Sequence, residues 1–560
     1  AYRYDLEKEG VAQENPEYLL VGYHEEVKDE NGVTTRRDWN GARYDEHGQL
    51  ASYDETLTDG LLRETSTHWR DGAYDNYGRL MGYNQESIDV AGLSTQTQWA
   101  ADYYSNDLRL RSYSETVTDP LGLTQTTHRT GMDYSRSGDL VAYNQSFADA
   151  HRNLTTSHWT AGTFDRYGRT LSYSEDITDA LGVQTTKTRL NTLYDSHSRQ
   201  LGYQETVTDE YAHTTTRDWA NAVYDFYNRL QRYDETNTDA LGNASQKAWR
   251  AQQYDQFDRA EKYTQTNTDA DGNVTVSEWT AGLPSFMREP GYNRFGQLES
   301  YTEIFTDQWG QSHQRIWSGG SYDGFGNLAS FQEISIDPAG GASKKVWEKG
   351  RYDSHNRLTS YSETWYALDD PLPVVGQPLV WETARDAQSR RVQTHDWTAG
   401  DYDRFSQLIG FTDVTRAPTG ETSTVTESLA TYDTYHRKST YQSESKGPEG
   451  ITYFLTRSRT DFDTHSRVAG YLEAATSDVD PNVTATTEAM GRTYDRDGRQ
   501  TGGLETTTTW GVTSLGESVD AKTIRTVHGA VLANGRLTSY VQDTQSTGTG
   551  STGETLDSLD

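Results

Sequence analysis

Carboxylates that recur at a fixed spacing are the residues of this sequence best suited to chemistry. One column of a tandem repeat holds eight glutamates, and paired carboxylates can act as acid and base. A catalytic pair needs two different environments, however, whereas a repeat gives each member the same environment. We therefore expect a structural role for this column. Its members are Glu55, Glu115, Glu175, Glu205, Glu235, Glu303, Glu333 and Glu363.

Eight aspartates at the turn position typified by "TDxxG" suggest a second kind of chemistry, calcium binding along one edge. Their loops lack the dense carboxylate spacing of known calcium loops, and "DADG" from Asp269 to Gly272 is only a fragment of one. Aspartate at the start of a tight turn also accepts hydrogen bonds from the backbone, and we favour that role while leaving calcium open. The aspartates are Asp59, Asp89, Asp119, Asp149, Asp179, Asp209, Asp239 and Asp269.

Other catalytic signatures are absent from the sequence. His68, His128 and His158 share a column, but no "HExxH", "GxSxG" or "GxxxxGK[ST]" occurs. The single "GxGxxG", Gly548 to Gly553, has no helix to open. Cysteine is absent, which excludes disulfides, cysteine-ligated zinc and thiol catalysis. We expect no enzyme, no metal and no cofactor.

The composition indicates a thin, elongated body. Apolar residues are 33% of 560, and that share includes 38 tyrosines, so aliphatic core material is scarce. The net charge of -33 argues against nucleic acid or an anionic membrane as partner. No apolar run is long enough for membrane insertion. Because the sequence starts inside a repeat and without Met, we expect a processed chain or a segment of a longer one.

The repeat has a period of 30 residues. It predicts a continuous array over residues 1–541, with inserted loops near 6–15, 284–291, 367–386 and 510–525. Residues 542–560 are rich in Gly, Ser and Thr, which is typical of a tail or linker. The period is read from an aromatic residue that is usually followed by Asp. These aromatic residues are Tyr44, Tyr74, Tyr104, Tyr134, Phe164, Tyr194, Tyr224 and Tyr254, then Tyr292, Tyr322 and Tyr352, then Tyr402, Tyr432 and Phe462.

Two turn signals, "YDxxG" and "TDxxG", divide each repeat into segments rich in Tyr, Thr, Trp, Val and Ile, which favour β-strands. The predicted fold is all-β: tandem antiparallel β-hairpin repeats with two strands per 30 residues. At about 4.8 Å per strand, about sixteen repeats would extend on the order of 150 Å. A twisted sheet of that length should coil into a spiral or tubular body.

Pairing the strands symmetrically about the turns predicts which residues share a face. Trp99 then lies opposite Gly82, and Tyr83 lies on the other face with Arg79 and Gln85. A large ring opposite a small residue indicates packing. We therefore expect the tryptophan and tyrosine columns on opposite faces of the sheet.

The tryptophans are expected to be largely buried over adjoining strands. Trp249 and Trp279 are the least secure, because Arg232 and Lys262 fall opposite them. The residues predicted to form structural ladders are Trp69, Trp99, Trp159, Trp219, Trp249 and Trp279, and Tyr83, Tyr113, Tyr143, Tyr173, Tyr203 and Tyr233.

The phrase "YDxxGRL" resembles the YD repeat of bacterial rearrangement-hotspot (Rhs) proteins, insecticidal-toxin shell proteins and teneurins. It occurs as "YDNYGRL" at Tyr74, "FDRYGRT" at Phe164, "YDFYNRL" at Tyr224, "YDSHNRL" at Tyr352 and "YDRDGRQ" at Tyr494. The resemblance implies a strip of hairpins that spirals into a shell on secreted or surface proteins. The period of 30 is atypical of that family, and its C-terminal cleavage signature is missing. A toxin or protease is therefore not implied.

These observations predict an extracellular or cell-surface structural protein that forms a fibre, stalk or shell, and they leave an adhesive role open. The partner would be further copies or further repeats, added at the unpaired strand expected at Tyr18–Val27. The alternative is a carbohydrate- or surface-binding module with exposed aromatic ladders, since sugar rings stack on Trp and Tyr.

Overall fold

The computed structural model describes residues 2–5, 19–28, 34–283, 290–368, 389–533, 536–549 and 555–559. These residues form 35 β-strands in one sheet, and no helix occurs among them. The strands are β1 Tyr2–Asp5, β2 Leu19–Lys28, β3 Thr34–Tyr44, β4 Leu50–Thr58, β5 Glu64–Tyr74, β6 Leu80–Ile88, β7 Ser94–Tyr104, β8 Leu110–Thr118, β9 Thr124–Tyr134, β10 Leu140–Ala148, β11 Leu154–Phe164, β12 Thr170–Thr178, β13 Gln184–Tyr194, β14 Gln200–Asp209, β15 Thr214–Tyr224, β16 Leu230–Thr238, β17 Ala244–Tyr254 and β18 Ala260–Thr268.

The second half of the sheet follows in chain order. Its strands are β19 Val274–Ala281, β20 Tyr301–Thr306, β21 Ser312–Tyr322, β22 Leu328–Ile336, β23 Ala342–Tyr352, β24 Leu358–Leu368, β25 Ser389–Ala399, β26 Phe411–Arg416, β27 Thr422–Tyr432, β28 Lys438–Lys446, β29 Thr452–Phe462, β30 Val468–Ser477, β31 Val483–Tyr494, β32 Gln500–Val512, β33 Ser518–Ala533, β34 Arg536–Thr549 and β35 Thr555–Leu559. Each strand pairs antiparallel with the next, from β1 with β2 to β34 with β35. The predicted all-β hairpin meander is confirmed.

Two alternating turns join the strands. We call the turn after an odd-numbered strand a YD turn and the turn after an even-numbered strand a TD turn. In the TD turn after β6, the Asp89 amide donates to the Leu93 carbonyl and the Gly92 amide donates to the Asp89 carbonyl. Gly92 has a φ of 75°, which glycine adopts without strain. The tight turns predicted at Asp75, Asp119, Asp179 and Asp239 have the same two bonds.

The predicted face assignment is wrong by one residue. The loop between the paired residues Asp89 and Leu93 holds three residues, so the ladder places Tyr83 opposite Trp99, and Gly82 opposite Ala100. Tryptophan and tyrosine therefore share one face of the sheet, because directly opposed residues point the same way. A one-residue change in pairing register moves every side chain of a strand to the other face.

Three predicted segments differ from the structure. Residues 510–525, expected as an inserted loop, are the end of β32, a tight turn and the start of β33. The expected tail contains the end of β34 and all of β35. Tyr18–Val27, expected as an unpaired edge, overlaps β2, which pairs with β1 on one side and β3 on the other.

The remaining inserts lie largely outside the described residues. This applies to the insert near 6–15, to 284–289 within the second insert and to 369–386 in the third. Residues 367 and 368 belong to β24, whose last residue Leu368 packs in a small apolar cluster with Leu283, Ile316, Ile334 and Ile336.

The sheet winds into a spiral tube whose successive windings touch at their turns. The TD turn after β4 contacts the YD turn after β17, and the TD turn after β18 contacts the YD turn after β31, thirteen strands further along in each case. The chain exposes 31590 Å². A compact globular protein of 63.2 kDa would expose about 20,000 Å². This excess is expected for a single-layer wall.

Candidate functional site

The YD turn is a unit of four interactions that explain its residue types. The Asp75 carboxylate accepts hydrogen bonds from the Tyr77 amide at 2.8 Å and the Arg79 amide at 3.0 Å. Its second oxygen accepts from Arg79 Nε at 2.6 Å. The Arg79 guanidinium also lies 4.8 Å from the ring centroid of Tyr104, the motif tyrosine of the next repeat. Asp therefore caps the turn, and Arg links it to the neighbouring hairpin.

The motif tyrosine satisfies a carbonyl that the sheet leaves unpaired. Tyr104 Oη donates to the Leu80 carbonyl at 2.8 Å. The ladder between β6 and β7 ends at Gly82 and Ala100, so Leu80 lies beyond it. The same bond joins Tyr134 to the Leu110 carbonyl at 2.9 Å. Because an unpaired buried carbonyl is costly, the hydroxyl supports each junction between hairpins.

A ladder of stacked rings runs along one face of the sheet. Trp69 lies 5.6 Å from both Tyr53 and Tyr83, measured between ring centroids, and the next pair, Tyr83 and Trp99, has the same spacing. Arg129 stands where the ladder lacks a tryptophan. Its guanidinium lies 4.0 Å from the Tyr143 ring, so a cation–π contact continues the stack.

The predicted ladder residues all occupy this face. Trp69, Trp219 and Trp279 are buried, at 7%, 9% and 8% exposure, whereas Trp99 and Trp159 are half-buried. Trp249 is also half-buried. Trp279 is thus among the better covered, and its ring stacks on a tyrosine on either side instead of facing Lys262. The tyrosines of the list are half-buried. They are Tyr83, Tyr113, Tyr143, Tyr173, Tyr203 and Tyr233.

Burial changes the ionisation of the ladder tyrosines. It raises the pKa of Tyr83 above the ordinary tyrosine value, and it raises the pKa of Tyr263 to about 12. Neighbouring carboxylates, including Glu115 for Tyr83 and Glu303 for Tyr263, act in the same direction. These phenols stay protonated at neutral pH and can donate hydrogen bonds.

The glutamate column lies beside the ring ladder and binds cations of adjacent strands. Glu205 accepts from Arg189 at 2.6 Å and from Lys187 at 3.1 Å. Glu235, 6% exposed, accepts from Arg217 at 2.9 Å and from Asn237 at 2.8 Å. Burial opposes the ionisation of Glu205, but the hydrogen bonds from Arg189 and Lys187 outweigh it and lower the pKa.

The turn aspartates and the histidine column, the two groups considered as metal ligands, make other interactions. Asp59 Oδ1 accepts from the Leu61 amide at 2.8 Å and the Arg63 amide at 3.0 Å, so the turn itself uses this carboxylate. His68 contacts Asp54 at 2.6 Å, and His158 contacts Asn144 at 2.8 Å. Within the described ranges, no three His, Asp or Glu side chains are grouped closely enough to hold a metal ion.

Contacts between windings form a seam that the sequence reasoning missed. Arg63 of a TD turn donates to the Gln256 carbonyl at 2.6 Å and forms an ion pair with Asp258 of a YD turn. Further along, the Arg404 guanidinium forms an ion pair with Glu210. Cations at the second position of late YD turns were the sequence signal that could have indicated the seam. Using this signal would have required the number of strands per winding.

Aromatic side chains add to the seam. His151 stacks on Phe325 with centroids 4.0 Å apart, and His213 stacks on Tyr435 at 3.8 Å. In other seam contacts a side chain forms a hydrogen bond with the backbone. For example, Asn243 Nδ2 donates to the Thr464 carbonyl at 2.7 Å. The seam is therefore a mixed polar and aromatic interface that recurs along the spiral.

Comparison with known proteins adds one finding. No protein-family model and no curated protein sequence matches this chain. Among solved structures, a chain of the Photorhabdus luminescens Tc holotoxin pore aligns with 97% of this chain and 34% of its own length, at 12% identity and a TM-score of 0.15. This chain thus spans about a third of that chain. In the described part of the protein, no helix is long and apolar enough to span a membrane.

Proposed function

We propose that this chain is an extracellular structural repeat protein whose spiral sheet forms the wall of a fibre, stalk or surface shell. The observation that carries the proposal is the seam. Contacts between TD and YD turns recur at offsets of thirteen or eleven strands. Arg63 with Asp258 has the first offset, and Glu210 with Arg404 has the second. A repeat whose windings bind one another gains length without a new interface, because each added hairpin meets the same neighbours.

The side chains support a wall rather than a catalyst. The YD carboxylates such as Asp75 cap turns, and glutamates such as Glu205 and Glu235 hold cations of adjacent strands. Each of these groups recurs in equivalent surroundings, whereas acid and base roles require carboxylates in different surroundings. The proposal therefore assigns the chain no catalytic role. The extracellular location rests on the resemblance of the YD phrase to surface and secreted proteins.

The carbohydrate-binding alternative has less support. A pyranose ring binds by lying on the face of an aromatic ring. In the ladder, both faces of Trp69 are occupied by Tyr53 and Tyr83, and both faces of Trp279 by Tyr263 and Tyr301. These rings are structural partners of one another, so we do not adopt the alternative for the ladder.

Immunogold electron microscopy of the cells that make the protein tests the proposal. An antibody raised against the purified chain should label an extracellular fibre, stalk or coat, and deletion of the gene should remove that structure. Re-expression should restore it. Label confined to the cell interior would refute the proposal, as would turnover of a defined substrate by the purified chain.

A further inference from the structure

Exposed aromatic residues mark one end of the spiral. In the first winding, the third residues of the YD turns after β5 and β11 are Tyr77 and Tyr167, which are 78% and 66% exposed. The same turn position in later windings holds Phe257 and Phe405, which are half-buried, and Phe325 and Tyr435, which are less exposed at 47% and 37%. The later positions differ in that TD turns of the preceding winding lie against them. We call the YD turns after β3 to β13 the YD rim.

The opposite end carries the complementary turns. TD turns after β22, β26, β28, β30 and β32 have no further winding against them among the described residues, and we call them the TD rim. Leu515 at the tip of the last of these turns is 86% exposed, and Val479 is 48% exposed. These side chains stand where a following winding would dock.

The charges of the two rims also match one of the two ion-pair polarities of the seam, that of Arg404 and Glu210. Within the chain, the cation at the second position of late YD turns meets a TD turn. Arg404 pairs with Glu210, and Arg496 donates to the Gly272 carbonyl and to Asn273 Oδ1. On the YD rim, Arg136 and Arg166 occupy this second position. On the TD rim, the exposed tips include Glu449.

We propose that the YD rim of one copy of this chain binds the TD rim of a second copy, so that copies stack end to end. The contact continues the seam already present between windings, with the same pairing of turn types, aromatic tips and charges. The two surfaces differ, so the contact is heterologous and need not close, which generates a filament. This inference rests on the proposed structural function and names its partner.

Association of the purified full-length chain tests the contact. Sedimentation velocity over a concentration series should show growing species, and negative-stain images should show tubes longer than one copy. The variant Tyr77→Ser/Tyr167→Ser should need about tenfold or more higher concentration to associate, because exposed aromatics dominate such interfaces. Leu429→Ser is the matched control, since Leu429 is an exposed apolar residue (62%) toward the far end of β27 from the TD rim and lies outside the YD rim. It should associate like the unchanged chain.

Charge reversal gives a second test that loss of folding cannot imitate. Arg166→Glu and Glu449→Arg should each weaken self-association. An equal mixture of the two variants should recover it, because the reversed rim of each then meets a rim of opposite charge. Circular dichroism checks that both variants keep the strand content of the unchanged chain.

Three results would overturn the inference: a monomer at all concentrations, undiminished association of the Tyr77→Ser/Tyr167→Ser variant, or a mixture of reversed variants that stays dissociated. Binding of a glycan to the rim aromatics at the expense of association would also refute it. A monomer that labels an extracellular coat would leave the proposed function intact. End-to-end filaments of a protein that lies inside the cell would instead refute the proposed function and leave the rim contact standing.

Discussion

Replacing Trp69 by alanine tests the ring ladder most directly. The side chain is 7% exposed, and its ring stacks between Tyr53 and Tyr83 at 5.6 Å on either side. A buried tryptophan removes about 150–250 Å² from water, which at about 25 cal/mol per Å² corresponds to about 4–6 kcal/mol. Truncation of core tryptophans costs about 3–5 kcal/mol. We expect Trp69→Ala to lower the local free energy of opening by about 3–5 kcal/mol.

The loss should remain local along the strip. Each hairpin contacts chiefly its neighbours, so stability is approximately a sum of nearest-neighbour terms. Hydrogen–deuterium exchange read by peptide mass spectrometry measures it. At about 1.4 kcal/mol per factor of ten, amides of β4, β5 and β6 should lose about two to three orders of magnitude of protection. Amides of β27 and β28 should not change.

Trp510→Ala is the matched control. Trp510 is 57% exposed and stacks on no ring among the described residues. Surface substitutions of this kind change stability by about 0.5 kcal/mol or less, so protection around β32 should be nearly unchanged. Equal losses in the two variants, or a loss spread evenly over the whole chain after Trp69→Ala, would show that the stacked ladder does not stabilise its own hairpins.

Three further predictions concern turns, ion pairs and the seam. Burial opposes the ionisation of Asp353, but hydrogen bonds from the backbone and guanidinium of Arg357 outweigh it and lower the pKa. The stability from this carboxylate is therefore present above the unfolded pKa of about 4 and is lost as the pH falls through the lower folded pKa. Circular dichroism between pH 6 and pH 2 should show this loss of stability. Asp353→Asn should reduce the pH dependence of the stability. Arg189→Leu removes a partner of the largely buried Glu205 and should cost about 3 kcal/mol in thermal denaturation, with part recovered by adding Glu205→Gln. Arg63→Ala should loosen the seam and increase proteolysis of the turn at 255–258 without changing the strand content, whereas an unchanged cleavage rate would mean that the seam does not depend on this side chain.

The hairpins could be predicted from sequence because their determinants are local. At Asp119–Gly122 the aspartate caps the turn through its own side chain, and Gly122 adopts a φ of 82°. The four residues of the turn therefore determine its conformation. The strand residues on either side favour extended backbone by their own branching and aromatic character. The same argument applies to the other turns of the array, including that after β32, where the sequence pattern is weaker and the prediction of a loop at 510–525 was wrong.

The face assignment failed because it depended on one residue of loop length. A symmetric pairing about an even loop places Trp99 opposite Gly82, whereas the three-residue loop places it opposite Tyr83. The residues of the loop are compatible with both lengths, so composition could not decide between them. The ladder itself offered a signal: large rings at equivalent positions of adjacent strands stack favourably when they share a face.

The seam could not be predicted because it depends on how far the sheet twists in one winding. Twist accumulates over eleven to thirteen strands, so a small change per strand would bring a different pair of turns together. No residue near Arg63 indicates that its partner is Asp258, almost two hundred positions later. What the sequence contains is the chemistry of the two surfaces, and the curvature decides where they meet.

Contact between the two opposite edges of the strip explains why the two kinds of turn can differ. Along the strip, YD and TD turns alternate between the two long edges, so a seam between opposite edges always joins a turn after an even-numbered strand to a turn after an odd-numbered one. The offset must then be odd, as eleven and thirteen are. The two turn types can thus carry different charges, and both polarities occur: Arg404 of a YD turn meets Glu210 of a TD turn. Arg63 of a TD turn meets Asp258 of a YD turn. Two edges of one chain that are complementary in this way are also the surfaces that a second copy would present at the ends of the spiral.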